Sequence, residues 1–188
     1  WIDSWFGEDD PLLFNDSMEP KPAYGAALQG LLGEELDGCS LERIGNTGFE
    51  SGLDGWGSWA GTLALDPAAA YSGSHGIRLS DRGAAWNGPT RDVLAEVGEA
   101  VPYTVSAWVR IEGASESTGI VTIKVVDDAG ERWEHLATGP VYDHSWTQLS
   151  GEFILSLDGD PSALVLYVEG PGAGIDLLVD DVSVVPNC

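Results

Sequence analysis

Trp86, Trp133, Tyr167 and Glu169 are the residues of this chain whose types and settings could do chemistry. Strand-like alternation in Ala163–Glu169 puts Leu164, Leu166 and Val168 on one face and Val165, Tyr167 and Glu169 on the other. The aliphatic face must be the core. An outer face ordinarily carries Thr, Ser or Lys, yet here it carries a Tyr beside a carboxylate. In residues 131–137, Trp133 and His135 share a face, opposite Arg132, Glu134 and Leu136. Trp86 and Asn87 form a pair in a glycine-containing loop. Rings on the non-core faces of two strands indicate a surface platform. The competing reading is that a loop covers either ring, and for a single aromatic that reading would be the better one.

Such a platform suits a ligand with two characters. A sugar ring has an apolar face of C–H groups and a rim of hydroxyls. An aromatic ring stacks on the face, while carboxylates and amides bond the rim. Catalysis finds less support. Most carboxylates sit in turns with Gly or Pro, where acids are ordinary. A glycosidase needs two carboxylates ~5–9.5 Å apart across a cleft, and no motif points to such a pair. His75, His135 and His144 lack metal-ligand spacing, and there is no Gly-x-Ser-x-Gly and no glycine-rich phosphate loop. Asn15-Asp16-Ser17 is a glycosylation sequon, a three-residue match that chance explains.

The charge narrows the partners. The chain has 188 residues, with 31 acidic and 8 basic side chains and a formal net charge of −23. Nucleic acid and anionic membrane both need basic patches, so neither is expected as a partner. At 43% hydrophobic and 21% charged, the chain is not a disordered acidic tail. Its apolar runs fall far short of the ~18 residues of a membrane span. No positively charged leader opens it, so a secretion signal is expected to be absent or already removed. Eight Trp against four Phe favours side chains with one apolar face and one polar edge. Cys39 and Cys188 have no histidine near them, which speaks against a metal site. A disulfide tying the ends of one extracellular domain is expected, the alternative being two unpaired thiols.

The elements that must position these groups fall into two regions. Residues 1–38 hold turns at Asp9-Asp10-Pro11 and Glu19-Pro20-Lys21-Pro22. From Pro22, the residues Tyr24, Leu28, Leu31, Leu32 and Leu36 recur at helical spacing, and Gly38 can end the helix. One amphipathic helix cannot bury its stripe alone, so this segment belongs to something larger or docks on its neighbour. From Leu41 to Val185 the period changes to two. Tyr103–Ile111, Ile120–Asp127, Ala163–Glu169 and Gly174–Val185 alternate between Gly-, Pro-, Asp- and Asn-rich turns. The pattern predicts an all-β antiparallel sandwich or barrel.

Several stretches of this strand-rich region then resemble a known family. They are Asn46-Thr-Gly-Phe-Glu-Ser-Gly-Leu-Asp-Gly-Trp56, Tyr71-Ser-Gly-Ser-His-Gly-Ile77, Ala84-Ala-Trp-Asn-Gly-Pro89, Tyr103-Thr-Val-Ser-Ala-Trp-Val109, Leu166-Tyr-Val-Glu169 and Val179-Asp-Asp-Val-Ser183. In order, from about residue 41 to 187, they resemble family 22 carbohydrate-binding modules, relatives of family 4. The resemblance implies a β-sandwich of jelly-roll type that binds xylan and xylooligosaccharides, and sometimes mixed-linkage β-glucan, without catalysing anything. Its groove aromatics fall on Trp86 and Trp133, and its rim carboxylate on Glu169. Asn87, His135 and Tyr167 complete the expected carbohydrate site. This sequence has Val165 where some members have a groove Tyr, and Trp56-Gly-Ser-Trp59-Ala where some have an Arg. The family also implies structural calcium, with ligands falling on Gly48, Glu50, His75 and Asp180, together with Ser72; the alternative is that Glu50 and Asp180 are solvated surface acids.

Residues 1–38 carry a second resemblance. Trp1-Ile-Asp-Ser-Trp-Phe6, Pro11-Leu-Leu-Phe-Asn-Asp16 and Pro20-Lys-Pro-Ala-Tyr24 look like the C-terminal end of a family 10 xylanase barrel. That family's catalytic glutamates lie on earlier strands, which this chain does not contain. The expectation is therefore a monomeric, secreted, non-catalytic module at 39–188, carrying at 1–38 the remnant of a parent endo-1,4-β-xylanase. Two rival classes remain: a small jelly-roll glycosidase with Glu169 among its acids, and a structural or adhesion sandwich without a glycan.

Overall fold

The computed structural model describes residues 41–187. The expected helix over 22–36, the barrel remnant at 1–38, and Cys39 and Cys188 lie outside the described residues. Ten strands follow in chain order: β1 (Trp56–Ser58), β2 (Thr62–Asp66), β3 (Gly76–Ser80), β4 (Pro89–Asp92), β5 (Pro102–Glu112), β6 (Glu116–Asp127), β7 (Gly130–Tyr142), β8 (Thr147–Ile154), β9 (Ala163–Glu169) and β10 (Asp176–Pro186). They form two five-stranded antiparallel sheets, β1-β4-β9-β6-β7 and β2-β3-β10-β5-β8. Among the described residues the helical structure is one 3₁₀ turn, Pro67–Ala69, capped by Asp66 through the backbone N–H of Ala68. The expected all-β antiparallel sandwich is therefore present.

The two sheets bury the faces that alternation marks as apolar. Val121, Ile123 and Val125 of β6 and Leu164, Leu166 and Val168 of β9 pack with Val105, Ala107, Val109 and Ile111 of β5 and Leu177, Val179, Val182 and Val184 of β10. Each of the Val, Leu and Ile side chains among these contributes ~1.5–3 kcal/mol on leaving water. The opposite face of β9 stays outside the core, and it carries Val165, Tyr167 and Glu169.

Register delivers the neighbours of those side chains. Tyr167 pairs with Thr90 of β4 and Thr122 of β6, and Lys124 pairs with both Val165 of β9 and Trp133 of β7. The β6–β7 hairpin is closed tightly by Asp127 and Gly130, the latter at φ 107, a conformation natural to glycine. Farther along, Val121 faces Ala137 while Thr122 faces His135, so Leu136 is an extra residue on β7. This bulge lets Trp133 and His135 look outward while Ala137 returns to the core.

Candidate functional site

A groove of about 440 Å³ runs over the outer face of the first sheet and is lined by Trp59, Trp86, Lys124, Trp133, His135, Tyr167 and Glu169. Sheet strands form its floor and loops its walls. Tyr167 and Glu169 come from β9, Lys124 from β6, and Trp133 and His135 from β7. Trp59 stands in the β1–β2 turn and Trp86 in the β3–β4 loop.

Floor and walls differ in burial. Tyr167 is 2% exposed, whereas Trp86 and Trp133 are 56% and 52% exposed. Large indole faces so open to water are unusual unless a ligand covers them. The Trp59 ring lies against Tyr167, with centroids 4.3 Å apart and planes tilted by 56°. The buried Thr122 hydroxyl donates to Glu169 Oε1 at 2.7 Å, which fixes the carboxylate. His135 Nε2 is 4.0 Å from the same oxygen. Burial pushes the Tyr167 phenol above its usual pKa, and the Glu169 charge and hydrogen bond add to the shift. The phenol therefore stays protonated as a donor. Lys124 Nζ reaches Glu131 Oε1 at 3.2 Å and lies 5.6 Å from the Trp133 ring centroid.

Trp86, Trp133, His135, Tyr167 and Glu169 are thus brought together. Asn87 is not, and this corrects the expectation drawn from its place beside Trp86. Its side chain is buried, and its Oδ1 accepts from the backbone N–H groups of Gly83 and Ala84, both at 2.9 Å. It braces the loop and does not line the groove. Trp59, Lys124 and Thr122 were missed. Period two on β6 puts Thr122 and Lys124 on one face, a usable signal. For Trp59 the signal was a large aromatic left unassigned in a turn.

The expected metal-ligand positions are linked through the segment at 71–75, which bonds Glu50 at one end and Asp180 at the other. Glu50 Oε1 accepts from the N–H groups of Ser74 and His75 at 2.7 and 2.8 Å, and these bonds hold its carboxyl below the ordinary range. His75 Nδ1 lies 3.7 Å from Glu50 Oε2. Asp180 is wholly buried, and its oxygens accept from the N–H groups of Tyr71, Ser72 and Asp181 at 2.7, 3.0 and 2.8 Å. Burial nonetheless pushes its carboxyl up. Ser72 Oγ donates to Asp181 Oδ1 at 3.1 Å. A side chain at Gly48 would come within 3.1 Å of Asp181 Oδ1 and 3.9 Å of Asp180 Oδ1, so three loops converge here. Among the described residues no three acidic, His or Cys side chains form a metal-holding group. An ion at this place would complete its shell with backbone carbonyls. The lone pairs that these N–H groups leave free on Glu50 and Asp180 are hard oxygen donors of the kind calcium uses.

Exposed indole faces beside a fixed carboxylate, on one sheet of a two-sheet sandwich, have the shape and chemistry that suit a glycan. The chain belongs to the carbohydrate binding domain family, whose profile matches residues 42–174. It is similar to endo-1,4-beta-xylanase A of Thermoanaerobacterium saccharolyticum, with 30% identity over 79% of this chain and 13% of that protein. Among solved structures it resembles the C-terminal family 22 carbohydrate binding module of Clostridium thermocellum Xyn10B, with 25% identity, TM-score 0.68, and coverage of 81% of this chain and 95% of that one. The fold also matches the CBM22-1 xylan-binding domain of Paenibacillus barcinonensis Xyn10C, with 24% identity, TM-score 0.71, and coverage of 79% and 96%. The chain thus spans about 13% of the length of the first xylanase relative.

Proposed function

We propose that this chain is a non-catalytic module that binds xylan and β-1,4-xylooligosaccharides in the groove of its first sheet, with mixed-linkage β-glucan as a second ligand. The observation that carries the reading is the pair of exposed rings, Trp86 and Trp133, beside the fixed carboxylate of Glu169 and the protonated phenol of Tyr167. The rings take the C–H faces of successive sugars, and the carboxylate takes a rim hydroxyl in a charge-assisted hydrogen bond. Glu169 is the one carboxylate among the described residues lining the groove, whereas glycoside hydrolysis needs two across the cleft. The xylan-binding neighbours and the xylanase relatives support the same reading, and with it a parent endo-1,4-β-xylanase that the module directs to plant cell-wall polysaccharide.

The reading extends to its setting. The module is secreted, monomeric and of jelly-roll connectivity, with Cys39 and Cys188 paired in an oxidising compartment. Intact mass with and without reductant decides the disulfide; two reactive thiols in unreduced protein would exclude it. Calcium is bound by Glu50, Asp180 and carbonyls of the Gly48 and Ser72–His75 segments, and it supplies loop cohesion rather than chemistry. The direct test of function is titration with xylohexaose and with a mixed-linkage glucan oligomer. Saturable binding of xylohexaose with no release of reducing sugar is expected; sugar release would instead favour a glycosidase, and no binding a structural sandwich.

A further inference from the structure

Arg82 is 3% exposed, yet its hydrogen bonds go to backbone carbonyls on two loops. Nε donates to Asn87 O at 2.8 Å, and Nη2 donates to Ala85 O at 3.0 Å. These carbonyls flank Trp86 in the chain. Nη1 donates to Ile175 O at 2.8 Å and to Gly172 O at 3.3 Å, in the loop that follows Glu169. Two backbone bonds run alongside: Gly170 N to Ala85 O at 3.0 Å, and Gly174 N to Arg82 O at 2.8 Å. One guanidinium therefore spans the loop that carries the exposed Trp86 ring and the loop that ends the strand carrying the rim carboxylate.

We infer that Arg82 is a positioning residue that sets the spacing between the Trp86 platform and the Glu169 carboxylate. The inference rests on the reading of the groove as a xylan site. An exposed indole on a free loop would lose freedom when a sugar stacks on it; a loop held in advance avoids that loss. The planar guanidinium fork reaches four carbonyls in fixed directions, which the single ammonium of lysine cannot do. Asn87 closes the loop on itself through Gly83 and Ala84, but only Arg82 among these side chains ties it to the segment after Glu169.

A double-mutant cycle on the full chain tests this. Xylohexaose affinity is measured for the parent, Arg82→Lys, Trp86→Ala and the double variant. Arg82→Lys should weaken binding roughly tenfold in the parent and less than about twofold in the Trp86→Ala background, because coupled residues are not additive. Equal losses in both backgrounds, or no loss in folded Arg82→Lys, would overturn the inference. A second readout is independent of ligand. With ¹⁵N-labelled protein, Arg82→Lys should raise the mobility of the Trp86 indole N–H, identified by its absence in Trp86→Ala, while the Trp133 indole stays as it was. An unchanged Trp86 signal would also refute the role. Should Arg82→Lys not fold, Arg82→Gln takes its place, since its Nε2 stands where the Arg82 Nε does and can still donate to Asn87 O. Failure of the parent to bind xylohexaose would count against the ligand, and the relaxation measurement would still decide Arg82.

Discussion

Each groove side chain has a separable job. Trp86 and Trp133 offer open faces, so Trp86→Ala or Trp133→Ala should cost ~1–3 kcal/mol of xylohexaose affinity, by analogy with aromatic stacking on planar ligands. Isothermal titration reads the loss, and parent-like binding by both variants would move the site to another face. Thr122 holds Glu169 in place through the 2.7 Å bond from its hydroxyl, so the proposed role of the carboxylate depends on it. Thr122→Val should therefore weaken binding by ~1 kcal/mol, the worth of one such bond, with a melting temperature close to the parent's. Glu169→Ala removes the acceptor itself and should weaken binding more. Tyr167 differs from all of these. It is buried below the Trp59 ring, so its proposed part is as much to support that wall as to donate a hydrogen bond.

Elements decide whether those side chains meet. The β3–β4 loop can approach β9 only because Gly88 has no Cβ: a methyl there would collide with the Val168 carbonyl. Gly88→Ala should push the Trp86 loop away from β9. Both a lower melting temperature and a weaker affinity are expected, whereas a cavity variant of the core, Leu166→Ala, should cost ~2–5 kcal/mol of stability while reaching the groove only indirectly. Comparing the two by thermal melts and titration separates loop placement from core packing. The β7 bulge at Leu136 has a similar role, turning Trp133 and His135 outward while Ala137 and Val141, farther along the same strand, face in.

At the scale of the whole molecule, pH acts through a few carboxyls, and the proposed calcium would act through two of them. Glu50 is held below its ordinary pKa by the Ser74 and His75 N–H groups, Asp66 and Glu112 by Arg78, and Asp127 by Arg132. For these groups the folded state binds protons less readily than the unfolded state. Their stabilisation is full above the ordinary range, near 3.8 to 4.5, and is lost as pH falls through their lowered values. Asp180 runs the other way. Burial raises it, so it favours folding below its ordinary 3.8, and that contribution is lost as pH rises through the raised value. A bound calcium ion would offset the buried charge at neutral pH and compete with protons in acid. Calcium added after chelation should thus raise the melting temperature at about pH 7, by the equivalent of ~2.7 kcal/mol at a hundredfold excess over Kd. The gain should shrink toward about pH 4.5 and vanish in Asp180→Ala. Identical melts with chelator and with calcium at neutral pH would leave Glu50 and Asp180 as structural acids.

Much of this molecule was legible in the order of its residues. Period two marked the strands, and the aliphatic face of Ala163–Glu169 marked which side of β9 enters the core. The remaining face, with Tyr167 and Glu169, then had to look outward, and the same argument placed Trp133 and His135. That reasoning succeeds because alternation is a local consequence of backbone geometry, and water removes the apolar face whatever lies elsewhere in the chain. It failed where a loop sets the direction of a side chain or where the partner is distant. Asn87 looked like a neighbour of Trp86 in function, but the loop turns its amide inward onto Gly83 and Ala84. Trp59 joined the groove only because its turn folds back over β9, and Arg82 became a strut only because residues 172–175 pass within reach of it. Asp180, one more acid in an acidic sequence, is sealed beneath Tyr71 and Ser72, 109 and 108 residues away in the chain. Burial and hydrogen bonding are properties of segments brought together, and long-range packing alone sets which segments those are.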